Sequence, residues 1–392
     1  MELADKKACT GCGVCAYVCP KQCISFNVDG TYGISYPVID HSLCVECGRC
    51  RLSCPALDPL ENGALRPLKA YAAWSTDAEE RRTSASGGIG AEIYKYAIKK
   101  GWAIVGAAFQ EGFEVGLKLS DHIEAIKEFK NSKYVFCSTG SVYKDIDKRL
   151  RAGDKIAVIA LPCQIAAIKK IFHKHIDNLL LVDLVCHGTR PSHYLKQYIR
   201  YMGAKYNKDV KSITFRDPGV GTQNYALSLF DMNDRCFYSS VKLEDPYQFA
   251  YHRIVAYREN CYHCLYANCK RLGDMTIGDY HGLGQSVSYL FSTEKVCCIL
   301  VNTPKGYDYI SSMANEKKIV IESRPIEEPI NGDSQLRHPS LKTYSRRLFE
   351  KKYNGDFVGS IHSVYAKTRF RESFIQVCRL PYSLLKRLMN RL

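Results

Sequence analysis

Eight of the nineteen cysteines stand in two copies of one spacing, Cys9-x2-Cys12-x2-Cys15-x3-Cys19-Pro20 and Cys44-x2-Cys47-x2-Cys50-x3-Cys54-Pro55, each position displaced by 35 residues. No other feature of the chain restricts its fold as strongly. Three thiolates set two residues apart reach one iron-sulfur cubane only if the backbone curls around it, and the fourth, followed by proline, crosses to the other cubane. The spacing therefore assigns Cys9, Cys12, Cys15 and Cys54 to one 4Fe-4S cluster and Cys44, Cys47, Cys50 and Cys19 to a second. Structural zinc also takes Cys-x2-Cys, but it closes with two such pairs and does not call for a triple plus Cys-Pro.

This ligand run is that of a bacterial two-cluster ferredoxin. Between the two copies, Ile24 to Val28 and Ile34 to Val38 alternate apolar and polar residues around Asp29-Gly30-Thr31-Tyr32-Gly33, which is a hairpin signature. The module is placed at 1–58, and 55–67, with three prolines, is read as a linker. At 392 residues the chain has room for two or three domains. The first residues show no signal-peptide pattern and no run of 18 apolar residues occurs, so a cytoplasmic location is expected. Cysteine density is below that of a disulfide scaffold, and cluster ligands need a reducing compartment.

The formal charge of +15 is unevenly spread. Residues 337–392 carry thirteen Lys and Arg against three acids, whereas residues 1–60 carry five basic and six acidic side chains. The charge is thus a property of the C-terminal region. With no nucleic-acid motif beside it, this region is read as a solvated or partner-facing surface rather than a nucleic-acid interface. At its end Leu384, Leu385, Leu388, Met389 and Leu392 share a helical face opposite Lys386, Arg387 and Arg391. That face fits packing or fraying, contact with a partner protein, or peripheral contact with a membrane.

After a short strand at Ala70–Trp74 comes Arg81-Arg82-Thr83-Ser84-Ala85-Ser86-Gly87-Gly88, feeding an apolar-periodic stretch from Ile89. A Gly- and Ser-rich turn at a helix start is either a cap or a seat for phosphate. Strands are expected at 103–109 and 115–119. From Asp145 the chain alternates helix and strand, with strands at 155–161 and 179–185 and helices at 165–172 and 193–202, the pattern of a partly parallel sheet. Cys163 follows the first of these strands and Cys186 the second, where ligands of such sheets gather. Short antiparallel strands are expected within 210–243. Cys261-x2-Cys264 supplies two ligands, which Cys163 and Cys186 would complete; read by spacing alone, those two thiols fit a buried apolar pair as well. Arg271 is a candidate anion contact.

Four separated stretches, Arg82 to Gly88, Leu161-Pro162-Cys163-Gln164-Ile165-Ala166, Asp183-Leu184-Val185-Cys186-His187-Gly188, and Cys261 to Cys264 with Thr276-Ile277-Gly278-Asp279, resemble the beta subunits of coenzyme F-420 hydrogenases and dehydrogenases over roughly residues 67 to 300. The resemblance implies an FAD and a third 4Fe-4S cluster, with Cys163, Cys186, Cys261 and Cys264 as its ligands. It implies flavin or phosphate contact by Ser84, Ser86, Gly87 and Gly88, its motifs bring Arg82, Pro162, Gln164 and Gly278 into the candidate cofactor set, and Arg271 joins that set as the candidate anion contact for cofactor or substrate. Ala160-Leu161 stands where the family often has Gly-Thr. Cys269 is extra to the pattern and is read as packing, and Cys297-Cys298 as core.

The expected fold is α+β or α/β: a ferredoxin-like dicluster domain, a mixed α/β core over 67–325 with a partly parallel sheet, and a basic C-terminal extension over 326–392. The expected function is an iron-sulfur flavoprotein oxidoreductase that relays electrons between ferredoxin, or another redox protein, and a small-molecule acceptor. That acceptor is the deazaflavin coenzyme or a substrate of a polysaccharide pathway. The rival is a noncatalytic electron-transfer subunit. His187 and Asp279, with His281 beside them, are the candidate proton donors.

Overall fold

The computed structural model describes residues 2–30, 32–60 and 65–378, with side chains to residue 373. Its first unit is small. β1 (Ile24–Val28) pairs antiparallel with β2 (Ser35–Ile39), and Asp29 Oδ1 closes the turn by accepting the amides of Tyr32 and Ile34 at 3.1 and 3.0 Å. Each ligand run coils into a one-turn helix, Val14–Tyr17 and Arg49–Leu52. Gly13 and Gly48 precede these at φ 76° and 75°, a left-handed conformation that glycine adopts without steric cost. The sequence repeat is therefore also a backbone repeat.

The second unit is built on one sheet. β3 (Lys69–Ser75), β4 (Ala103–Phe109), β5 (Val115–Ser120), β6 (Cys137–Ser138), β7 (Ile156–Ala160) and β8 (Leu179–Leu184) belong to it. β9 (Val210–Thr214), β10 (Ala226–Asp231) and β11 (Cys236–Val241) form a separate antiparallel sheet; β12 (Met275–Asp279), β13 (Cys297–Val301) and β14 (Ile319–Arg324) rejoin the large one. Its order is β14-β3-β13-β12-β8-β7-β4-β5-β6. The centre, β12-β8-β7-β4, is parallel, and antiparallel strands flank it. β7 and β13 are buried at every residue, as unbroken apolar runs in a covered sheet require. This is the mixed α/β core expected from the alternation of helix and strand.

Two expectations are corrected. The stretch 55–67 is not a free linker: Tyr266 donates to the Pro55 carbonyl at 3.2 Å, Lys170 pairs with Asp58 at 2.6 Å, and Leu65 bridges to Arg271. Nor is the described part of 326–392 a solvated extension. Helices Tyr344–Lys352 and Phe357–Cys378 bury Phe349, Phe357, Ile361 and Val364 in the main core, packing on helix Ser192–Tyr206, while Arg347, Lys351, Lys367, Arg369 and Arg371 face out and Arg346 is buried. Charge counts report the exposed faces of a helix and miss its apolar stripe. The amphipathic face at 384–392 lies outside the described residues. No described helix is long and apolar enough to cross a membrane.

Candidate functional site

The thiols gather in three sets. Cys9, Cys12, Cys15 and Cys54 lie close enough that each of the first three feels the charge of Cys54, and burial with that mutual repulsion pushes Cys12 up to about 11 and Cys15 to about 12. Cys19, Cys44, Cys47 and Cys50 line a second small cavity, with Cys23 as a fifth thiol whose Sγ lies 3.4 Å from that of Cys19. Cys163, Cys186, Cys261 and Cys264 line a third, and burial raises all four. Converging buried thiols that repel as thiolates are a donor set for a soft, positively charged centre, so the chemistry fits iron-sulfur ligation in all three places. Cys269 is absent from the lining of the third cavity and packs instead beside Ala70, Ala72 and Cys298.

The third set is assembled by the sheet. Cys163 sits at the first turn of helix Pro162–Ile171, directly after β7, and Cys186 lies two residues past the neighbouring strand β8. Pro162 occupies the helix start, where a missing N–H costs nothing. Gln164 fixes the turn by accepting the Leu161 amide at 3.1 Å and donating to the Cys137 carbonyl at 2.9 Å. Arg271 secures the loop that brings Cys261 and Cys264. It is buried, donates to Asp183 Oδ1 at 3.0 Å and to the carbonyls of Tyr266, Asn268 and Leu184, and so has its donors committed within the protein. The expectation that Arg271 contacts a cofactor anion is therefore corrected: its anion is Asp183.

Beside the third set opens a cavity of about 670 Å³. Cys186, His187, Gln164 and Cys137 line both it and the small thiol cavity, which also touches Cys12 of the first ligand run. Its far wall is the Ser-Gly turn and the first turn of helix Ile89–Lys99, with Ser84, Ser86, Gly88 and Gly90 facing in. A helix start presents unpaired amides and the positive end of its dipole. The serine hydroxyls are already donated, Ser84 to Glu80 Oε1 and Ser86 to the Val296 carbonyl, both at 2.8 Å. Gly87 stands outside the lining; its amide donates to Cys297 Sγ at 3.2 Å, and a Cβ there would come within 2.9 Å of the Cys297 nitrogen. It is required by close packing of the turn on the sheet. Gly278 lines the cavity under the same pressure, since a Cβ would meet Val185 Cγ2 at 2.9 Å.

Two candidates fall away. Arg82 is exposed, pairs with Glu79 at 2.7 Å and does not line the cavity, because the helix Ala78–Thr83 points it to solvent. Asp279 lines the cavity but is held in a two-point ion pair with Arg216, with Tyr225 donating to it at 2.9 Å. Although burial raises its pKa, the opposing Arg216 charge wins and keeps the carboxyl below its usual range, so it has no proton to give near neutrality. His187 does border the cavity, its Nε2 3.5 Å from Asp333 Oδ1, with His281 Nε2 3.9 Å from the other oxygen of the same carboxylate.

Sequence reading missed the remaining lining. Tyr134 and Tyr251 stack with ring centroids 4.0 Å apart, and Arg216 donates to Tyr134 at 2.8 Å and to the Ala85 carbonyl at 2.6 Å. Lys133 is half-buried against the cavity, donates to the Lys130 carbonyl at 3.1 Å, and is pushed down to about 8 by desolvation. None of these belongs to a motif; they arrive from segments that only the tertiary fold brings together.

The family model for the C-terminal part of the coenzyme F420 hydrogenase/dehydrogenase beta chain matches residues 153–328, and the 4Fe-4S dicluster domain model matches residues 8–57. The chain thus joins a 4Fe-4S dicluster domain to a domain that matches the C-terminal part of the coenzyme F420 hydrogenase/dehydrogenase beta subunit. Among its relatives, the F component of the F(420)H(2) dehydrogenase of Methanosarcina mazei is 26% identical over 195 residues, covering 47% of this chain and 55% of that protein. The beta subunit of the coenzyme F420 hydrogenase of Methanococcus voltae is 22% identical over 282 residues, 70% of this chain and 90% of the relative. Coenzyme F420-dependent sulfite reductase of Methanocaldococcus jannaschii is 27% identical over 177 residues, 43% of this chain and 26% of that protein. The chain thus spans about half the length of the first of these and a quarter of the last. A chain of the F420-reducing [NiFe] hydrogenase complex from Methanosarcina barkeri superposes with a TM-score of 0.46 at 17% identity, over 79% of this chain and 94% of that one.

Proposed function

We propose that this protein is an iron-sulfur flavoprotein oxidoreductase component that relays electrons between a redox protein and a small-molecule acceptor. The shared wall supports this reading most directly: Cys12 reaches the third thiol set, and Cys186, His187 and Gln164 border both that set and the large cavity. Clusters carry single electrons and a flavin trades either one electron or a hydride, so together they supply one-to-two-electron conversion. In this reading Cys9, Cys12, Cys15 and Cys54 hold one 4Fe-4S cluster, Cys19, Cys44, Cys47 and Cys50 the second, and Cys163, Cys186, Cys261 and Cys264 the third.

FAD is the group whose size and charge suit the cavity. The helix turn from Gly88 to Ala91 seats its diphosphate, Lys133 supplies the cation, and Tyr134, Tyr225 and Tyr251 exclude water. His187 holds a proton at Nε2, oriented by Asp333. Cys47 is exposed, which makes the second set the contact point for ferredoxin or another redox protein. The acceptor is the deazaflavin coenzyme F420 named in the relatives, or a substrate of a polysaccharide pathway. Because two relatives are named as subunits, a noncatalytic electron-transfer subunit is the second reading.

Anaerobic purification with iron, sulfide and released-flavin quantitation tests the cofactors. About twelve irons and one FAD per chain are expected, and about eight irons would leave the core thiols without their metal. Titration of the isolated chain with reduced F420, NADPH and reduced ferredoxin then separates the readings, since turnover without a partner protein excludes the second.

A further inference from the structure

Arg258 is 2% exposed, and among the described residues no carboxylate lies within ion-pair reach of it. Its Nε donates to Asn260 Oδ1 at 3.3 Å, and its guanidinium lies 4.3 Å from the ring centre of Phe136 and 5.8 Å from that of Tyr36. Nη2 has no hydrogen-bond partner among the described residues. It points at the first ligand run, where a Cβ added to Gly11 would stand 2.8 Å from it. The backbone holds this placement from the other side. The Arg258 amide donates to Thr189 at 2.9 Å, its carbonyl accepts the Cys261 amide at 3.0 Å, and the Thr189 amide donates to Cys261 Sγ at 3.4 Å.

A buried cation without an anion is too costly to be retained for packing alone, and aromatic faces offset only part of that cost. The groups around its charge belong to the ligand runs: its guanidinium abuts Gly11, between Cys9 and Cys12, its carbonyl holds the Cys261 amide, and the Tyr36 ring lies beyond. Arg346 also acts on Cys261, but it is neutralised by Glu259 and Glu350. Arg258 has no such partner.

We propose that Arg258 is the buried counter-charge of the cluster held by Cys9, Cys12, Cys15 and Cys54 and of its neighbour at Cys261, and that it raises the reduction potential of both. A thiolate-held cubane is net negative and becomes more so on reduction, so a fixed cation with a free N–H aimed at its sulfurs favours the reduced state. The outer set at Cys19, Cys44, Cys47 and Cys50 has no comparable buried cation among the described residues. Electrons arriving there move downhill toward the interior. Arg258 is a positioning residue of the relay and touches no acceptor. The Cys9 half rests on the dicluster domain, and the Cys261 half on the third cluster of the proposed relay.

The test is potentiometric titration, followed by EPR, of the full cluster-loaded chain beside Arg258→Gln and Arg258→Lys. Arg258→Gln is expected to move the inner ferredoxin cluster and the core cluster to more negative potential at unchanged iron content, with the outer cluster unmoved and the Lys variant shifted less. Unmoved potentials, or a shift shared equally by the outer cluster, overturn the assignment. Should both variants lose iron, pulsed EPR of the unaltered chain carrying arginine labelled with ¹⁵N in the guanidinium only decides: an arginine nitrogen coupled to the reduced inner ferredoxin cluster is expected, and its absence overturns the proposal. About eight irons in the unaltered chain would remove the Cys261 half and leave the Cys9 half standing on the ferredoxin signals.

Discussion

The dicluster module and the core both gather cysteines, but from opposite resources. In residues 2–58 one short hairpin and two one-turn helices surround the thiols; the module's own apolar centre amounts to Cys23, Ile24, Ile39 and Cys50, and Val14 packs into the main core. In the core, Cys163 and Cys186 hang from the ends of β7 and β8, in a nine-stranded sheet packed on both faces. So small a module buries little of its own, and its order is expected to come with its metal; the core buries enough apolar surface to hold its site without it. The largest expected effect follows from this difference. Stripping iron anaerobically should bring amide exchange in 2–58 to unprotected rates while β7, β8 and β13 stay protected, as hydrogen-exchange mass spectrometry would record. Equal loss or equal retention in the two regions would break the comparison.

Single substitutions sharpen it. Cys54→Ala and Cys186→Ala should each remove about four of about twelve irons, the first from the module and the second from the core. Cys269→Ala and Cys297→Ala should remove none, because Cys269 packs away from the thiol cavity and Cys297 accepts the Gly87 amide. Iron loss in either of the last two would redraw the ligand sets.

The same contrast explains what the sequence disclosed. In the module the donors and the hairpin are local in the chain, so spacing alone placed them, whereas the left-handed turns at Gly13 and Gly48 came only with the structure. The order of strands β7 and β8, and the thiols beyond them, were legible through the helix-strand alternation. The cavity was legible at its Ser-Gly turn and at Gln164, His187, Gly278 and Asp279. Lys133, Tyr134, Arg216 and Tyr251 come from loops and helices whose positions depend on tertiary packing, and no spacing rule connects them. Charged residues misled most. Arg82, Arg271 and Asp279 look alike as free functional groups in a sequence, but each has its partner in the fold, Glu79, Asp183 and Arg216 respectively.

Arg271 and Arg82 put that lesson in energetic terms. Arg271→Met would strand the Asp183 carboxylate, which is wholly buried, so a loss of roughly 3–5 kcal/mol in denaturant stability is expected. Arg82→Ala breaks an exposed pair and should stay within about 0.5 kcal/mol. If Arg82→Ala instead weakened flavin retention while Arg271→Met left stability intact, the corrected roles of the two arginines would be reversed.

A smaller effect than that of Arg271→Met concerns Lys133, the half-buried cation of the cavity. Desolvation holds it down to about 8, against the opposing pull of Cys137 and Glu128. Below that pH it carries its proton and attracts a diphosphate; a bound anion raises its pKa further. Affinity of the flavin-stripped chain for FAD should therefore be greatest below about pH 8 and fall as the pH rises toward the pKa of the complex. Lys133→Met should bind about tenfold more weakly at neutral pH, roughly 1.4 kcal/mol, with a flat profile across the same range. Fluorescence titration with FAD at about pH 7 and about pH 9.5 reads both. A flat profile in the unaltered chain would mean that the diphosphate lies at the helix turn alone. Lys133 would then face the acceptor, and the cavity would be divided between cofactor and substrate at Tyr134 rather than filled by the cofactor.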